Sequence, residues 1–322
     1  MTSPALFPDQ PISVVIPSFN GKSLLKRHLP AVFAALRSRD QVVIVDDASG
    51  DRTVEWLTQT YRLKPREQPP AKQLGPRFKS SRRGDGSPPP AAQLLMGKYR
   101  YHRQVLELLV VANTENLRFA ASVNRAVKLA RYKLVCLLNN DVRPEPDFLK
   151  PLLEHFQHPE MFAVGCLEKE QSGTSTERLS GKNRLWFERG LYRHSRAREF
   201  GPGPTAWVSG GSGLFSRPKW LELGGYDPAF YPAYWEDIDI SFRARQRGWR
   251  VWFESRSVVH HLHETTNRPV FGDHIERFSW RHGLYFTWKH ASWRQRLLFV
   301  IWQPYWWLLR SRSKMELAPA AQ

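Results

Sequence analysis

Three apolar runs in this chain stop abruptly at acidic clusters: residues 42–45 before Asp46 and Asp47, residues 134–138 before Asn139, Asn140 and Asp141, and an aromatic stretch before Glu236 and Asp237. The first two runs are continuous rather than alternating, the pattern of strands buried on both faces of a parallel sheet. Sheets of that kind carry their ligands just beyond the carboxyl ends of the strands. Like charges crowded at one edge repel, so their accumulation there calls for a cation or a hydroxyl-rich ligand. The feature points to an enzyme site.

The neighbouring segments supply the rest of such a sheet. Residues 12–16 form a β-branched run closed by Pro17, which suits a first central strand, and Leu24, Leu25, Leu29, Val32, Phe33 and Leu36 then recur at helical spacing. The pattern predicts a helix over 51–61 with Asp51 as its N-cap, a strand over 106–111, a helix over 119–130 and a helix over 144–156 entered at a proline. Strand–helix repetition from the start of the chain implies a parallel α/β sheet. Beyond it we expect a strand over 162–167, a polar region over 168–204, a helix over 238–247, a strand over 249–253 and a helix over 271–289. Ser209-Gly210-Gly211-Ser212-Gly213 would let a ligand approach the backbone closely.

A chain of 322 residues with 41% hydrophobic residues can bury a full core in one large domain or two small ones. The net charge of +18 is unevenly spread: residues 62–103 carry eleven Lys or Arg against two acids. Within that stretch, residues 67–93 are rich in Pro, Gln and Ser and read as a flexible basic insertion, suited to an anionic lipid or other polyanion. Nucleic acid is a poor fit, because no nucleic-acid module and no regular interleaving of aromatics accompanies the charge. Cys136 and Cys166 both sit in apolar runs and read as reduced core residues. The absence of a basic-then-apolar leader gives the expectation of a cytoplasmic protein. The tail, residues 291–322, combines a 297–309 apolar run too short to span a bilayer with Trp302, Tyr305, Trp306, Trp307, Arg310, Arg312 and Lys314. That pairing suits an amphipathic segment lying at the inner face of a membrane, peripheral rather than spanning.

Five short motifs occur in order: 14–20 (VVIPSFN), 43–49 (VIVDDAS), 137–141 (LLNND), 224–227 (GGYD) and 235–239 (WEDID). With them, residues 10–290 resemble a family 2 glycosyltransferase of the GT-A fold, most closely its bacterial rhamnosyl- and galactosyltransferase-like members. The resemblance implies a Rossmann-like, mainly parallel central sheet flanked by helices, here with a C-terminal helical tail. It further implies an inverting hexosyl transfer from a UDP-, dTDP- or GDP-linked sugar to a saccharide or lipid-linked glycan acceptor. Such a reaction belongs to cell-envelope polysaccharide synthesis and uses a divalent metal, Mn²⁺ or Mg²⁺.

By the same resemblance, Pro17 and Asn20 hold the nucleobase, Asp47 contacts it, Asp46 orients the loop, and Asn124 and Asn139 complete the donor nucleotide site. Arg125 stands beside a diphosphate, though a solvated helix face also accounts for it, and Arg118 occupies a place where many relatives carry Gly. Asn139-Asn140-Asp141 takes the place of the metal-binding acidic triplet but offers one carboxylate, so Asp141 becomes the acidic metal ligand. A histidine completes that site. His260 aligns best, with His261 and His263 open, and strand alternation sets His261 and His263 on the face opposite His260. Asp237 matches the base that accepts the acceptor's proton, with Glu236 supporting it, while Asp239 reads as a structural helix-start residue. Gly210, Gly211 and Trp235 fall on the acceptor side. Two rivals are a nucleotidyltransferase, for which the 17–21 loop lacks a basic phosphate cradle, and a non-catalytic nucleotide- or sugar-binding module.

Overall fold

The computed structural model describes residues 10–67, 91–171, 177–261 and 274–316. Strands β1 (Ile12–Ser18), β2 (Gln41–Asp46), β5 (Gln104–Asn113) and β6 (Leu134–Leu138) run parallel in the order β6-β1-β2-β5. Their side chains divide by parity. Ile12, Val14, Ile16, Val42 and Ile44 face helices α1 (Lys22–Ala34), α2 (Thr53–Tyr61) and α4 (Leu149–Glu154); Val15, Val43, Val45 and Leu109 face α3 (Arg118–Leu129) and α6 (Glu236–Gln246). Covering both faces is why these strands read as unbroken apolar runs. Cys136 and Cys166 are free and buried in this core.

Strand β13 (Ser212–Ser216) pairs antiparallel with both β6 and β8 (Met161–Gln171), and β14 (Arg250–His261) runs parallel to β8. The double reversal restores the original direction. Hence β1, β2, β6, β8 and β14 all end at one edge of a sheet of twelve strands. Helix α5 (Arg217–Glu222) follows β13. At the far side β3 (Lys64–Arg66) and β4 (Ala92–Tyr101) extend the sheet antiparallel from β5. The hairpin β4–β5 was not anticipated, because its cations Lys98, Arg100 and Arg103 read as part of the basic stretch; residues 68–90 lie outside the described residues.

Three other expectations change. The helix anticipated over 144–156 shrinks to α4: Pro144 ends β7 (Val142–Pro144), which adds to the edge of β14 with Val142 opposite His261 and Arg143 opposite His260, and His155–Gln157 form a 3-10 turn. The polar region over 168–204 contains β9 (Glu177–Ser180), the hairpin β10 (Asn183–Glu188) and β11 (Leu191–Arg196), and β12 (Gly203–Pro204). The strand over 249–253 runs on to His261 through a register shift between Glu254 and Val258.

Two helices finish the chain: α7 (His274–His290) and α8 (Trp293–Glu316). Tyr192 of β11 packs edge-on against Phe242 of α6 and Phe286 of α7, and Trp306 of α8 donates to the Arg189 carbonyl at 2.7 Å. Asp239 ties α6 to α7. Its fully buried carboxylate meets Arg243 at 2.7 Å, Lys289 at 2.6 Å and His290 at 2.7 Å. Burial works against the charge, but His290, Arg243 and Lys289 together hold the carboxyl down to about 2.

Asp239→Asn leaves those cations facing a neutral amide, and breaking a buried pair this way costs about 3 kcal/mol. A depressed folded-state pKa stabilises above the unfolded value and is lost as pH falls through the folded one. Denaturant unfolding should therefore show the variant weaker by about that amount at pH 7. The gap should narrow from pH 4 towards pH 2, and a gap constant over that window would contradict the assignment.

Candidate active site

The shared edge gathers Ser18 at the end of β1 and Asn20 after it, Asp46 and Asp47 at the end of β2, Asn139 to Asp141 after β6, Glu168 on β8 and His261 at the end of β14. The start of β13, with Gly210 and Gly211 before it, meets them from the opposite direction. Asn139 donates its backbone N–H to the Gly211 carbonyl at 2.9 Å, and Asn140 Nδ2 donates to Ser18 Oγ at 3.1 Å.

On the expected nucleotide side, Asp47 is committed to the protein. Its Oδ1 accepts from Asn113 Nδ2 at 2.9 Å, Leu117 N at 2.8 Å and Ser122 Oγ at 2.8 Å, and its Oδ2 accepts from Arg118 N at 2.7 Å. The carboxylate thus serves the amides that begin α3, that of Arg118 together with Asn116 Oδ1 at 3.0 Å. It also holds Arg118 at φ 67°, the left-handed region that glycine occupies without strain. Asp46 accepts from Ser49 N at 3.0 Å through Oδ2, while its buried Oδ1 faces no donor among the described residues. Burial, first, raises its pKa. Asp47 thus anchors the start of α3, while Asp46 keeps one buried oxygen without a donor among the described residues.

Half-buried Pro17 lies within β1, opposite Val45. Exposed Asn20, at φ 50°, accepts from Gly50 N at 2.8 Å and ties the two loops together. Asn124 does not reach this edge. It is buried, with Nδ2 donating to the Tyr226 carbonyl and Oδ1 accepting from Tyr226 N, both at 2.8 Å, so it clamps the Gly225-Tyr226 backbone. Arg125 donates to Asn113 Oδ1, beside Asp47.

The histidine beside Asp141 is His261, not His260. Strand alternation sends His260 to the other face, where its Nε2 meets Glu145, and brings His261 Nε2 to 3.2 Å from Asp141 Oδ1. His263 lies outside the described residues. Behind His261 stands Glu168, its Oε2 3.7 Å from Nδ1. Ser212 Oγ donates to Oε1, and Ser180 Oγ lies 2.9 Å from Oε2 and 2.6 Å from Glu170 Oε1, so its one proton is shared between the two carboxylates. Burial alone would neutralise the imidazole, but hydrogen bonds and charge from Asp141 and Glu168 raise it to about 10. Burial likewise pushes Glu168 up, and His261 and the two serines outweigh it, leaving the carboxyl lowered.

A cation would fit here. Two ligand atoms at about 2.1 Å from one ion and at right angles lie about 3 Å apart, close to the Asp141–His261 separation. Among the described residues no group of three or more His, Cys, Asp or Glu could hold a metal by itself. The pair would hold an ion together with oxygens from a ligand.

Glu236 and Asp237 begin α6 after two consecutive residues in the left-handed region, Tyr234 at φ 75° and Trp235 at φ 78°. Such strain concentrates where side-chain placement is functional. The His282 ring, buried on α7, lies 3.0 Å from the Ala233 carbonyl and supports this turn. Burial raises both acids, and the Asp237 charge adds to the rise at Glu236. Backbone hydrogen bonds from Ile238 and Gly210 favour the ionised form of Asp237, whereas Glu236 Oε2 is buried without a donor among the described residues. Of the pair, Asp237 is the one prepared to carry the negative charge.

The acceptor-side residues pack inward. A Cβ on Gly210 would lie 2.4 Å from Tyr226 Oη, and one on Gly211 2.6 Å from Asn139 Nδ2. Trp235 is buried with its ring 5.0 Å from Phe286. All three positions are thus packed against protein neighbours. Glu168 was missed, although the apolar run over 162–167 stops at an acid just as the three recognised runs do.

Comparison with known proteins agrees with this architecture. Residues 98–280 match the model of the "Glycosyltransferase like family 2" and residues 13–71 that of "Glycosyl transferase family 2". An N-acetylglucosaminyl-diphospho-decaprenol L-rhamnosyltransferase of Mycobacterium tuberculosis is 29% identical over 91 residues, 28% of this chain and 29% of the relative. The match thus spans under a third of that protein's length. The structure of GalNAc-T7 with UDP, GalNAc and Mn²⁺ superposes with a TM-score of 0.56 at 17% identity, covering 80% of this chain and 44% of the other. The mannosyltransferase PcManGT from Pyrobaculum calidifontis, in complex with GDP-Man and Mn²⁺, gives 0.54 at 17% identity, covering 89% and 66%. At such identities the superpositions establish the GT-A fold. With a family model spanning more than half of its length, the chain belongs to the family 2 glycosyltransferases.

Proposed function

We propose that this glycosyltransferase inverts the anomeric centre of a nucleotide-sugar, with Asp237 as base and a divalent cation at Asp141 and His261. One observation carries the reading. Asp237, favoured as the anion by Gly210, is joined through Gly211 to Asn139, two residues from Asp141, so proton acceptor and cation site share one loop contact. The acceptor hydroxyl attacks the anomeric carbon from the face opposite the nucleotide. As that C–O bond forms, its proton passes to the Asp237 carboxylate, and the bond to the diphosphate breaks with its electron pair leaving on the phosphate oxygen. Held by Asp141 and His261, a Mn²⁺ or Mg²⁺ ion would supply charge neutralisation for the departing diphosphate. Asp46 offers its free oxygen to an imide N–H of the base. The donor is a UDP-, dTDP- or GDP-linked sugar and the acceptor a saccharide or lipid-linked glycan.

The tail favours a lipid surface. On α8, Trp293, Leu297, Val300, Ile301, Trp307 and Leu308 are exposed at helical spacing, while Trp306 and Phe299 turn inward. No helix among the described residues is long and apolar enough to cross a membrane. The stripe, flanked by exposed Arg294 and Arg296, suits the headgroup region of an anionic membrane at its cytoplasmic face.

A panel of sugar donors with Mn²⁺ should give release of UDP, GDP or dTDP that depends on acceptor; nucleotide binding without release from any donor would contradict the reading. Asp237→Asn should lower kcat/KM by about 10³-fold while the nucleotide Kd stays within about threefold. Because burial raises the Asp237 pKa, the base is lost as pH falls through a value above the ordinary aspartate pKa of about 4. The acidic limb of kcat/KM should lie there, and a limb at or below that value would count against burial of the base. Ile301→Asp should abolish sedimentation with phosphatidylglycerol vesicles; equal sedimentation of variant and wild type would remove the tail from the membrane.

A further inference from the structure

We infer that Glu168 is a positioning residue for the cation site: it orients His261 through Nδ1 and adds negative charge behind it. The inference rests on the proposed cation at Asp141 and His261. Glu168 sits on β8 directly beside Val259 of β14 and opposite Ser180 of β9. It is buried, and a buried carboxylate is costly unless its charge is met. Ser212 of β13 donates to one oxygen, and Ser180 of β9 shares its single hydroxyl proton between the other oxygen and Glu170, but hydroxyls do not cancel the charge. The group beside it is the His261 ring, with Nδ1 at 3.7 Å from Oε2, beyond hydrogen-bond range but within electrostatic reach.

The opposite ring nitrogen of His261 faces Asp141 at 3.2 Å. Glu168, His261 and Asp141 therefore form a line in which the imidazole is held on one side and presents Nε2 on the other. A histidine that ligates a metal generally donates its second N–H to a carboxylate, which fixes the tautomer and raises ligand basicity. The same carboxylate charge helps to raise the pKa of Asp237, so Glu168 lies within electrostatic reach of both halves of the site.

A purely structural Glu168 would merely tie β8, β9 and β13 together through its serines. Glu168→Gln separates the two, since an amide retains hydrogen-bonding capacity towards Ser180 and Ser212 but removes the charge. Mn²⁺ binding to the full chain, in the presence of UDP, is read from the free-ion electron paramagnetic resonance signal, with thermal unfolding of each protein alongside. Glu168→Gln should weaken Mn²⁺ about tenfold or more with little change in thermal midpoint, and Glu168→Asp should recover part of the loss. Unchanged Mn²⁺ affinity in a folded Glu168→Gln protein overturns the positioning role, as does a lowered midpoint with unaltered affinity in the folded fraction. Wild-type protein that binds no Mn²⁺, or Asp141→Asn and His261→Ala variants that bind it normally, would instead overturn the cation site itself.

Discussion

Buried negative charge at one sheet edge is the constraint around which this molecule is arranged. Parallel β1, β2 and β6, continued by β8 and β14 in the same direction, place Asp46, Asp47 and Asp141 where their strands end and Glu168 near the end of β8, where it pairs with β9, and the start of α6 adds Glu236 and Asp237. The chain compensates some of these fully. Asp47 receives four donors at the start of α3, and on the far side of α6 Asp239 is matched by Arg243, Lys289 and His290. Asp141 and Glu168 share one imidazole, that of His261. The unequal compensation separates acids whose charge is met within the fold from acids whose charge is met only in part.

This distinction explains which parts of the site were legible in the sequence. The continuous apolar runs of β1, β2 and β6 announce strands covered on both faces, and the order of the short motifs carries the family. Which acid of each pair the fold consumes was harder to read. Asp46 and Asp47 are adjacent and chemically identical, and only the path of the chain from Asn113 to Ser122 shows that Asp47 is consumed by α3. Asn124 is likewise bound by a partner 102 residues away, which no local pattern reveals.

Strand parity accounts for the histidine. Adjacent residues on β14 point to opposite faces, so the choice between His260 and His261 depends on register, and a shift between Glu254 and Val258 sets that register. Alternation correctly separated the two side chains but could not say which face held Asp141. Pairing of β7 with β14 decides it, and no strand was expected over 142–144. Glu168, by contrast, was marked by the same sequence feature as the other acids: a fourth apolar run ending at a carboxylate.

Taken together, the account rests on a cation seated between Asp141 and His261, in reach of a diphosphate and one loop contact away from Asp237. Anomalous diffraction at the manganese edge, from crystals grown with Mn²⁺ and UDP, tests this most directly. The account predicts a single strong peak bonded to Asp141 Oδ1 and His261 Nε2, with Glu168 behind the ring and outside bonding distance. A peak coordinated by His260 and Glu145, or by the Glu236–Asp237 pair, would contradict it.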